Sequence, residues 1–239
     1  MFGLLATVER MAETDGALAE RLATETGRLL VGVRPGDGDR IAQDFLAAQL
    51  KDHRPDDAVL SEEAPDDPRR LAADRVWIID PLDGSREYAE PGRSDWAVHV
   101  ALWQAGQLVA GAVSLPALGR TFGTDRPARS SPSHSRLRIV ISRTRPPEFA
   151  QRFADAVHGV LVPMGSAGAK AMAVVRGEAD AYLHAGGMYE WDSAAPVAVA
   201  RAAGLHCSRV DGRPLVYNQP DPWLPDLLIC RPELAGAMT

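Results

Sequence analysis

The sequence predicts a mixed α/β protein built from two halves, an α+β half over residues 1–132 and an α/β half over residues 133–239. Three observations predict this class. The chain opens with two stretches of helical periodicity, continues with strand-like segments that form a hairpin, and then alternates strands with helices. With 239 residues, 46% of them hydrophobic, the chain is long enough to bury a full core.

The first two predicted elements are amphipathic helices. Apolar residues recur at helical spacing from Leu18 to Val33 and again from Ile41 to Leu50. A Gly/Asp-rich break at residues 35–39 separates the two stretches. We therefore expect two helices that each turn one apolar face toward a core.

Strands are predicted next. Short β-branched runs at Ala58–Leu60 and Val76–Ile79 are each followed at once by acidic residues. Trp96–Trp103 alternates as a strand does, and Leu108–Ser114 follows after the turn-forming segment Ala105–Gln107. This pattern predicts an antiparallel hairpin beside strands that end in carboxylates.

The connection between the two halves has no hydrophobic period. From Leu115 to Arg136 the chain is rich in Pro, Ser, Gly and Arg, which indicates irregular structure. We place the boundary between the halves near residue 132.

The second half alternates strands with helices. The predicted elements are strand Leu137–Ile141, helix Pro147–Val157, strand Val160–Val162, helix Ala167–Val175 and strand Ala179–Leu183. A further helix is predicted to begin at Asp192, with Pro196 in its first turn and Gly204 in a left-handed conformation after its end. Leu227–Cys230 is the last predicted strand.

Charge and hydropathy exclude two classes of partner. The chain has 26 Lys and Arg residues against 32 Asp and Glu residues, a formal charge of -6, and no lysine-rich stripe, so we expect no nucleic acid polymer as partner. No apolar run approaches the roughly 20 residues that a membrane helix needs, and the N-terminus lacks the pattern of a signal peptide. We expect a soluble, cytoplasmic protein with no membrane contact.

The strongest chemical signal lies where a strand ends in two carboxylates. The apolar run Trp77–Ile79 leads into Asp80 and Asp83, three residues apart, and a strand end can direct both side chains at one point. Gly84 permits close approach of the backbone, and Ser85 lies where a helix N-terminus would present amide groups to a phosphate. This arrangement predicts a cation site next to an anion site.

Asp-Pro and Asp-Gly are also common turn formers, so this segment alone could be a simple loop. Two further segments favour a site. Glu62 and Glu63 follow a short strand, and Asp192 lies at a predicted helix start, where it could also be a plain N-cap. Because Mg²⁺ prefers carboxylate and phosphate oxygens, a metal would let this acidic cluster accept a phosphorylated small molecule.

Three segments carry a resemblance to a known family. Ser61–Glu63, Ile79–Ser85 and Trp191–Pro196 resemble the motifs of the inositol monophosphatase superfamily of lithium-sensitive phosphatases, in the same order. Within it, Arg86–Tyr88 and Gly165–Lys170 are most similar to the actinobacterial CysQ-type 3'-phosphoadenosine 5'-phosphate phosphatases. The resemblance covers nearly the whole chain and implies the layered αβαβα sandwich of the sugar-phosphatase type.

The resemblance also implies a set of metal ligands. Glu62, Asp80 and the main-chain carbonyl of Leu82 match the ligands of a first Mg²⁺. Asp80, Asp83 and Asp192 match the ligands of a second Mg²⁺, so that Asp80 would bridge the two ions. In this family one ion activates a water molecule and the other stabilises the departing ester oxygen.

A hydroxyl and an upstream aspartate orient the attacking water in the family. Ser85 occupies the position of the family's threonine, with Asp39 as its candidate partner and Asp37 as the alternative. Glu63 would hold neighbouring ligands in place. The loop at residues 34–40 is shorter than usual, which leaves open whether a third, weaker metal binds.

The implied reaction is hydrolysis of the 3'-phosphate of 3'-phosphoadenosine 5'-phosphate to AMP, a step linked to sulfate assimilation. The expected substrate contacts are Asp83, Gly84, Ser85, Arg86, Gly165, Ser166, Lys170 and Asp192. Inositol monophosphate and fructose 1,6-bisphosphate are alternative substrates, and a regulatory binding protein without turnover is the alternative of another class. Homodimers are common among relatives, so a homodimer is an open expectation.

Other candidate chemistries are not supported. The six histidines show no zinc-like spacing, and Cys207 and Cys230 are expected to be reduced, buried thiols. Gly165–Lys170 lacks the residue gap of a nucleoside triphosphate loop.

Overall fold

The computed structural model describes residues 13–33, 36–127 and 135–238. The predicted boundary near residue 132 lies outside the described residues, so it stays a prediction. Helix α1 (Asp15–Val31) is capped by the Thr14 side chain, which accepts a hydrogen bond from the Ala17 N–H at 3.1 Å. It ends two residues before the predicted Val33, because Gly32 caps its last turn. Helix α2 (Gly38–His53) contains the second predicted stretch.

The first sheet has a parallel pair at one edge and is otherwise antiparallel. Its strands are β1 (Ala58–Ser61), β2 (Arg75–Asp83), β3 (Ala97–Gln104), β4 (Gln107–Leu115) and β5 (Arg120–Gly123), in that spatial order. β1 and β2 run parallel. The predicted hairpin is confirmed, and Ala105 and Gly106 take left-handed conformations in its turn. Strand β5 corrects the prediction of irregular structure at Leu115–Arg136: it is a short edge strand, too short to show an alternating pattern.

The second half supplies the second sheet and four helices of the described residues. The strands are β6 (Arg138–Ser142), β7 (Val160–Met164), β8 (Ala181–Tyr189), β9 (His206–Ser208) and β10 (Trp223–Cys230), in the spatial order β7-β6-β8-β10-β9. A short helix α3 (Ser85–Ala89) belongs to the first half, and α4 (Ala150–Ala156), α5 (Ala167–Val175), α6 (Glu190–Ala202) and α7 (Ala235–Met238) to the second. β8 and β10 extend beyond the predicted strands, and β9, three residues long, was not predicted.

Helix α6 differs from its prediction at the N-terminus. It begins at Glu190, two residues before the predicted start at Asp192. Pro196 therefore lies inside the helix and not in its first turn. Because proline has no N–H, the carbonyl of Asp192 receives no helical hydrogen bond from residue 196. Gly204 follows the helix with φ of +79°, as predicted.

The elements stack in five layers, which confirms the predicted αβαβα sandwich. α1 and α2 pack on one face of the first sheet, and a core around Trp77 and Leu46 fills that interface. α5 and α6 lie between the two sheets, where both sheets contribute to the largest core. α4 covers the outer face of the second sheet, around Ile139 and Leu228. No helix in the described ranges is long and apolar enough to cross a membrane.

The central layer packs closely enough to require a glycine in β4. A Cβ on Gly111 would lie 2.9 Å from the Cβ of Ala198 in α6. We expect Gly111→Ala to lower the free energy of unfolding by about 1–3 kcal/mol through overpacking. Urea denaturation at fixed Mg²⁺ measures this. Gly32→Ala is the control, because its nearest atom is 3.5 Å away and its φ is -92°, and we expect a change below about 0.5 kcal/mol. Equal losses in both variants would contradict this packing.

Candidate active site

A bulge in β2 separates the two aspartates of the first motif. In the antiparallel pairing of β2 with β3, Asp80 lies opposite His99 and Asp83 lies opposite Ala97. The register shifts between these two pairs. The Leu82 N–H donates to Oδ1 of Asp80 at 3.0 Å. Both aspartates are buried and line the same cleft. The bulge therefore lets one strand present two carboxylates to one space.

Asp83 lies against the N-terminus of α5. Its Oδ2 accepts hydrogen bonds from the Ser166 hydroxyl at 2.5 Å and the Gly168 N–H at 2.7 Å, and its Oδ1 accepts from the Ala167 N–H at 3.1 Å. Helix N-termini stabilise negative charge. Burial alone raises the pKa of Asp83, but the charge of His99 and these hydrogen bonds outweigh burial and lower it to about 2.

His99 is a site residue that the sequence analysis missed. Its ring is fully buried, with Nδ1 3.1 Å from the main-chain oxygen of Trp191 and Nε2 3.2 Å from Oδ2 of Asp83. Because a carbonyl only accepts hydrogen bonds, Nδ1 carries a proton. The available signal is a histidine in an inward-facing row of small residues, between Ala97 and Ala101.

Asp192 reaches the cluster from the first turn of α6. Its Oδ2 accepts a hydrogen bond from the Tyr189 N–H at 2.6 Å, so the side chain also caps the helix. Carboxylate oxygens of Asp80, Asp83 and Asp192 lie within 4.8 Å of one another. Burial, followed by the charge of Asp83, raises the pKa of Asp192 to about 6. The convergence of these three carboxylates that the motifs predict is therefore present.

Glu62 and Glu63 follow β1 at the rim of this cluster. Glu62 lines the cleft but lies outside the tight group of three. The residue as a whole is exposed, yet loss of water around its carboxylate, followed by the charges of Asp192 and Asp83, raises its pKa to about 7. The pKa of Glu63 is raised by partial burial and then by the charge of Asp39.

Ser85 and Asp39 are hydrogen-bonded. Ser85 is the first residue of α3, and its hydroxyl donates to Oδ1 of Asp39 at 2.9 Å. Asp37 is directed elsewhere, because its carboxylate lies 3.6 Å from the Arg40 guanidinium. Of the two partners that the sequence left open for Ser85, the geometry favours Asp39.

Two residues of the segment Arg86–Tyr88, Arg86 and Glu87, line the cleft. Arg86 is exposed and lines it. Glu87 is buried and accepts a hydrogen bond from Nε of Arg143 at 2.6 Å. The Tyr88 hydroxyl lies 2.8 Å from the main-chain oxygen of Leu30, to which it can donate, and ties α3 to the end of α1. Tyr88 therefore supports the site from outside the cleft, and Glu87 is a lining residue whose carboxylate is already paired with Arg143.

The Gly165–Lys170 segment is fixed by its own hydrogen bonds. The Gly165 N–H donates to Oδ2 of Asp95 at 2.6 Å. The buried Lys170 ammonium donates to the carbonyls of Gly165 at 3.0 Å and Ser166 at 2.6 Å, and burial lowers its pKa to about 8. Lys170 therefore holds the loop whose other side contacts Asp83, while it also lines the cleft.

The cleft extends beyond the carboxylates and has a volume of about 530 Å³. The predicted substrate residues Gly84, Ser85, Arg86, Gly165, Ser166 and Lys170 all line it. Residues that the sequence did not indicate also line it, namely Arg145, Tyr182, His184, Tyr189 and Trp223. A hollow of similar size, about 540 Å³, lies near the start of β6, and its lining includes one carboxylate, that of Asp155.

The carboxylates fit a metal ion. Oδ2 of Asp80 is buried and has no hydrogen-bond partner in the part of the chain that the structure describes. Burial, followed by the charges of Asp83 and Glu62, raises the pKa of Asp80 well above its usual range. An unpaired buried carboxylate oxygen is costly unless a cation neutralises it. A donor set made only of oxygens suits a hard divalent cation.

The profile of the inositol monophosphatase family matches residues 36–235. The chain belongs to this family. It is 50% identical to a Mycobacterium leprae protein named 3'-phosphoadenosine 5'-phosphate phosphatase, over 93% of this chain and 91% of the relative. A Mycobacterium bovis protein of the same name is 55% identical over 83% of this chain and 78% of its own length.

More distant relatives agree with this membership. The Escherichia coli 3'(2'),5'-bisphosphate nucleotidase CysQ is 30% identical over 78% of this chain and 80% of its own length. The crystal structure of CysQ from Bacteroides thetaiotaomicron superposes with a TM-score of 0.80 at 25% identity, covering 92% of this chain and 97% of that one. The family is one of metal-dependent phosphatases, so this chain is a phosphatase with an acidic metal-binding cluster.

The crowded carboxylates predict that the metal-free protein loses stability as pH rises from about 5 to 7. Glu62, Asp192 and Asp80 have raised pKa values in the folded protein, whereas unfolded carboxyls titrate near pH 4. The folded state thus binds more protons across this window, and the free energy of unfolding falls with pH. Asp83, with its pKa of about 2, changes the free energy of unfolding with pH only below about pH 4. Melting temperatures in EDTA at pH 5.5, 6.5 and 7.5 measure the slope.

Asp80→Asn tests the cause of that slope. Without metal, this variant should melt several degrees higher than the parent at pH 7.5 and show a shallower pH dependence, because one of the crowded, titrating carboxylates is gone. Asp44→Asn, at an exposed ion pair with Arg40, is the matched control and should leave both values unchanged. If the metal-free melting temperature of the parent protein rose with pH, the crowded carboxylates would not be the cause of the pH dependence.

Proposed function

We propose that this chain hydrolyses the 3'-phosphate of 3'-phosphoadenosine 5'-phosphate to give AMP and phosphate. The observation that carries the proposal is a single cleft with carboxylates at one end and cationic side chains along its wall. Arg86 and Arg145 form no ion pair with any carboxylate of the described residues, although both line the cleft. A substrate with a second phosphate would give these cations a partner.

The relatives support the same substrate. The mycobacterial proteins at 50–55% identity are named for 3'-phosphoadenosine 5'-phosphate, and their similarity extends over most of both chains. Inositol monophosphate offers no second phosphate to the cationic wall. Fructose 1,6-bisphosphate does offer one, but it has no planar ring to contact the aromatic side chains of the cleft.

We further propose Mg²⁺ as the metal. Glu62, Asp80, Asp83, Asp192 and the carbonyl of Leu82 would hold it, as the match to the family's motifs implies. The unpaired oxygen of Asp80 and the all-oxygen donor set support this choice. When bound, Mg²⁺ supplies Lewis acidity for the attacking water and for the departing ester oxygen.

Ser85 and Asp39 would orient and deprotonate the attacking water. The Ser85 hydroxyl donates its proton to Asp39, which leaves the lone pairs of Ser85 Oγ free to accept a hydrogen bond from water. A proton taken from that water can pass through the hydroxyl to the Asp39 carboxylate. The pKa of Glu63 is raised by partial burial and then by the charge of Asp39, so Glu63 lies near enough to Asp39 to act on its charge.

The remaining expectations stay predictions. The fold tests neither the homodimer nor the cytoplasmic location. A third metal near the loop at 34–40 is likewise open, because residues 34 and 35 lie outside the described ranges.

Substrate preference tests the proposed function directly. We expect kcat/KM for 3'-phosphoadenosine 5'-phosphate to exceed that for inositol 1-phosphate and fructose 1,6-bisphosphate by at least about tenfold, with turnover lost in EDTA and restored by Mg²⁺. Phosphate release at pH 7.5 is the measurement. Either sugar substrate ahead by about tenfold would contradict the substrate, and metal-independent release would contradict the mechanism.

Asp39 and Asp37 form a matched pair for testing the water-orienting role. Asp39→Asn should lower kcat by about 10²-fold or more with little change in KM, because general base catalysis contributes about 10²–10⁴-fold. Asp37→Asn removes a carboxylate two residues away that pairs with Arg40, and its kcat should stay within about twofold. If Asp37→Asn were the more damaging change, the assignment would be reversed.

A further inference from the structure

Two exposed aromatic side chains stand at the mouth of the cleft. The exposed large hydrophobic residues in the described ranges are Leu29, Val31, Leu71, Val109, Leu118, Tyr189, Val216 and Trp223. Only Tyr189 and Trp223 among them are aromatic, and both line the cleft. Their exposed fractions are 45% and 44%, so each leaves a large part of its ring open to a ligand.

The two rings belong to neighbouring strands at the same level. Tyr189 ends β8 and is the cross-strand partner of Trp223 in β10. Residues directly opposite in an antiparallel pair place their side chains on the same face of the sheet. Tyr189 also stacks on Trp191, with ring centroids 4.7 Å apart and planes 12° from parallel. One face of the tyrosine is thus covered by protein, and we refer to the exposed parts of the Tyr189 and Trp223 rings as the aromatic surface.

Trp223 is held in place by a glycine and a buried histidine. A Cβ on Gly187 would lie 2.3 Å from Cζ2 of Trp223, so the indole rests directly on the Gly187 backbone. Gly187 has φ of +93°, a conformation that favours glycine. Its carbonyl lies 2.9 Å from Nε2 of His184, which donates to it. One side of the indole therefore packs on the Gly187 main chain, which limits its motion before a ligand binds and lowers the entropic cost of binding on it.

The aromatic surface is also fixed relative to the carboxylates. The N–H of Tyr189 donates to Oδ2 of Asp192 at 2.6 Å, and Asp192 lies in the cluster of three. A ligand that contacts the aromatic surface and places a phosphate at the cluster must therefore carry a planar group joined to its phosphate. A nucleoside phosphate has this form, since its planar base and its ester phosphate are joined by a ribose.

We infer that Tyr189 and Trp223 form a stacking platform for the base of the substrate. This inference rests on the proposed function and adds the residues that recognise the non-reacting part of the molecule. Every base has a π-face, so stacking distinguishes a substrate with a base from one without it but discriminates little between different bases. The platform therefore predicts similar activity on adenosine and guanosine 3',5'-bisphosphates and much lower activity on a substrate that lacks the base.

Ribose 3,5-bisphosphate is the base-free probe. We expect the parent enzyme to favour adenosine 3',5'-bisphosphate over it by about tenfold or more in kcat/KM, as expected for stacking of one base. Trp223→Ala and Tyr189→Ala should reduce that ratio at least about fivefold each, mainly through KM. Trp223→Phe should recover most of the ratio, because it keeps an aromatic face.

Val216→Ala is the control variant, because Val216 is 56% exposed and is not part of the cleft lining. Its substrate ratio should equal that of the parent. Melting temperatures show whether each variant is folded, and Trp223→Phe keeps the test valid if an alanine variant is not. Equal losses on both substrates would mean that the rings act only in structure, and would overturn the inference.

The outcome for the parent enzyme separates the two levels of the proposal. If it favours inositol 1-phosphate over both bisphosphates, the proposed function fails. If it hydrolyses both bisphosphates with no preference for the base, the proposed phosphatase activity stands and the stacking platform is wrong. Discrimination between adenine and guanine by more than about tenfold would also overturn stacking as the means of recognition.

Discussion

The rest of the structure depends on the repulsion among carboxylates held close together away from water. Asp80, Asp83 and Asp192 place oxygens within 4.8 Å of one another, and Glu62 adds a fourth charge at the rim. The surrounding protein stabilises the charged form of only one of these four carboxylates. The pKa of Asp83 falls, whereas the pKa values of Asp80, Asp192 and Glu62 rise. A divalent cation removes this remaining cost, and so binding and folding are coupled.

The compensation of Asp83 explains why the site needs both halves of the chain. β2 of the first sheet carries Asp80 and Asp83, while the N-terminus of α5 and His99 stabilise the charge of Asp83. His99 also contacts the carbonyl of Trp191, next to Asp192 in α6. The central helical layer thus sets the distances between ligands from separate segments, and close packing such as that of Gly111 against Ala198 keeps the layer in place.

Much of the fold and the reacting end of the site could be predicted because their signals are local. The carboxylates follow strands or begin a helix within short motifs, and the sequence reduces the partner of Ser85 to Asp39 or Asp37, of which Asp39 accepts the hydrogen bond. Short edge strands such as β5 and β9 carry too few residues to show a period. The sequence predicts the start of α6 two residues too late. Asp192 is the third residue of the helix and caps it from there, but in the sequence it resembles an N-cap.

The part of the cleft that we propose for substrate recognition could not be predicted, because its residues are dispersed in the sequence. Arg145 follows β6, Tyr189 ends β8 and Trp223 begins β10, and none belongs to a motif that differs from ordinary surface sequence. The second sheet brings them together. Because the Tyr189 N–H is bonded to Asp192, movement of this wall also moves a carboxylate of the acidic cluster. If the wall binds the substrate as we infer, its contacts are coupled to the acidic cluster through one helix N-terminus, and a substrate that fits the wall poorly would also be poorly placed for hydrolysis.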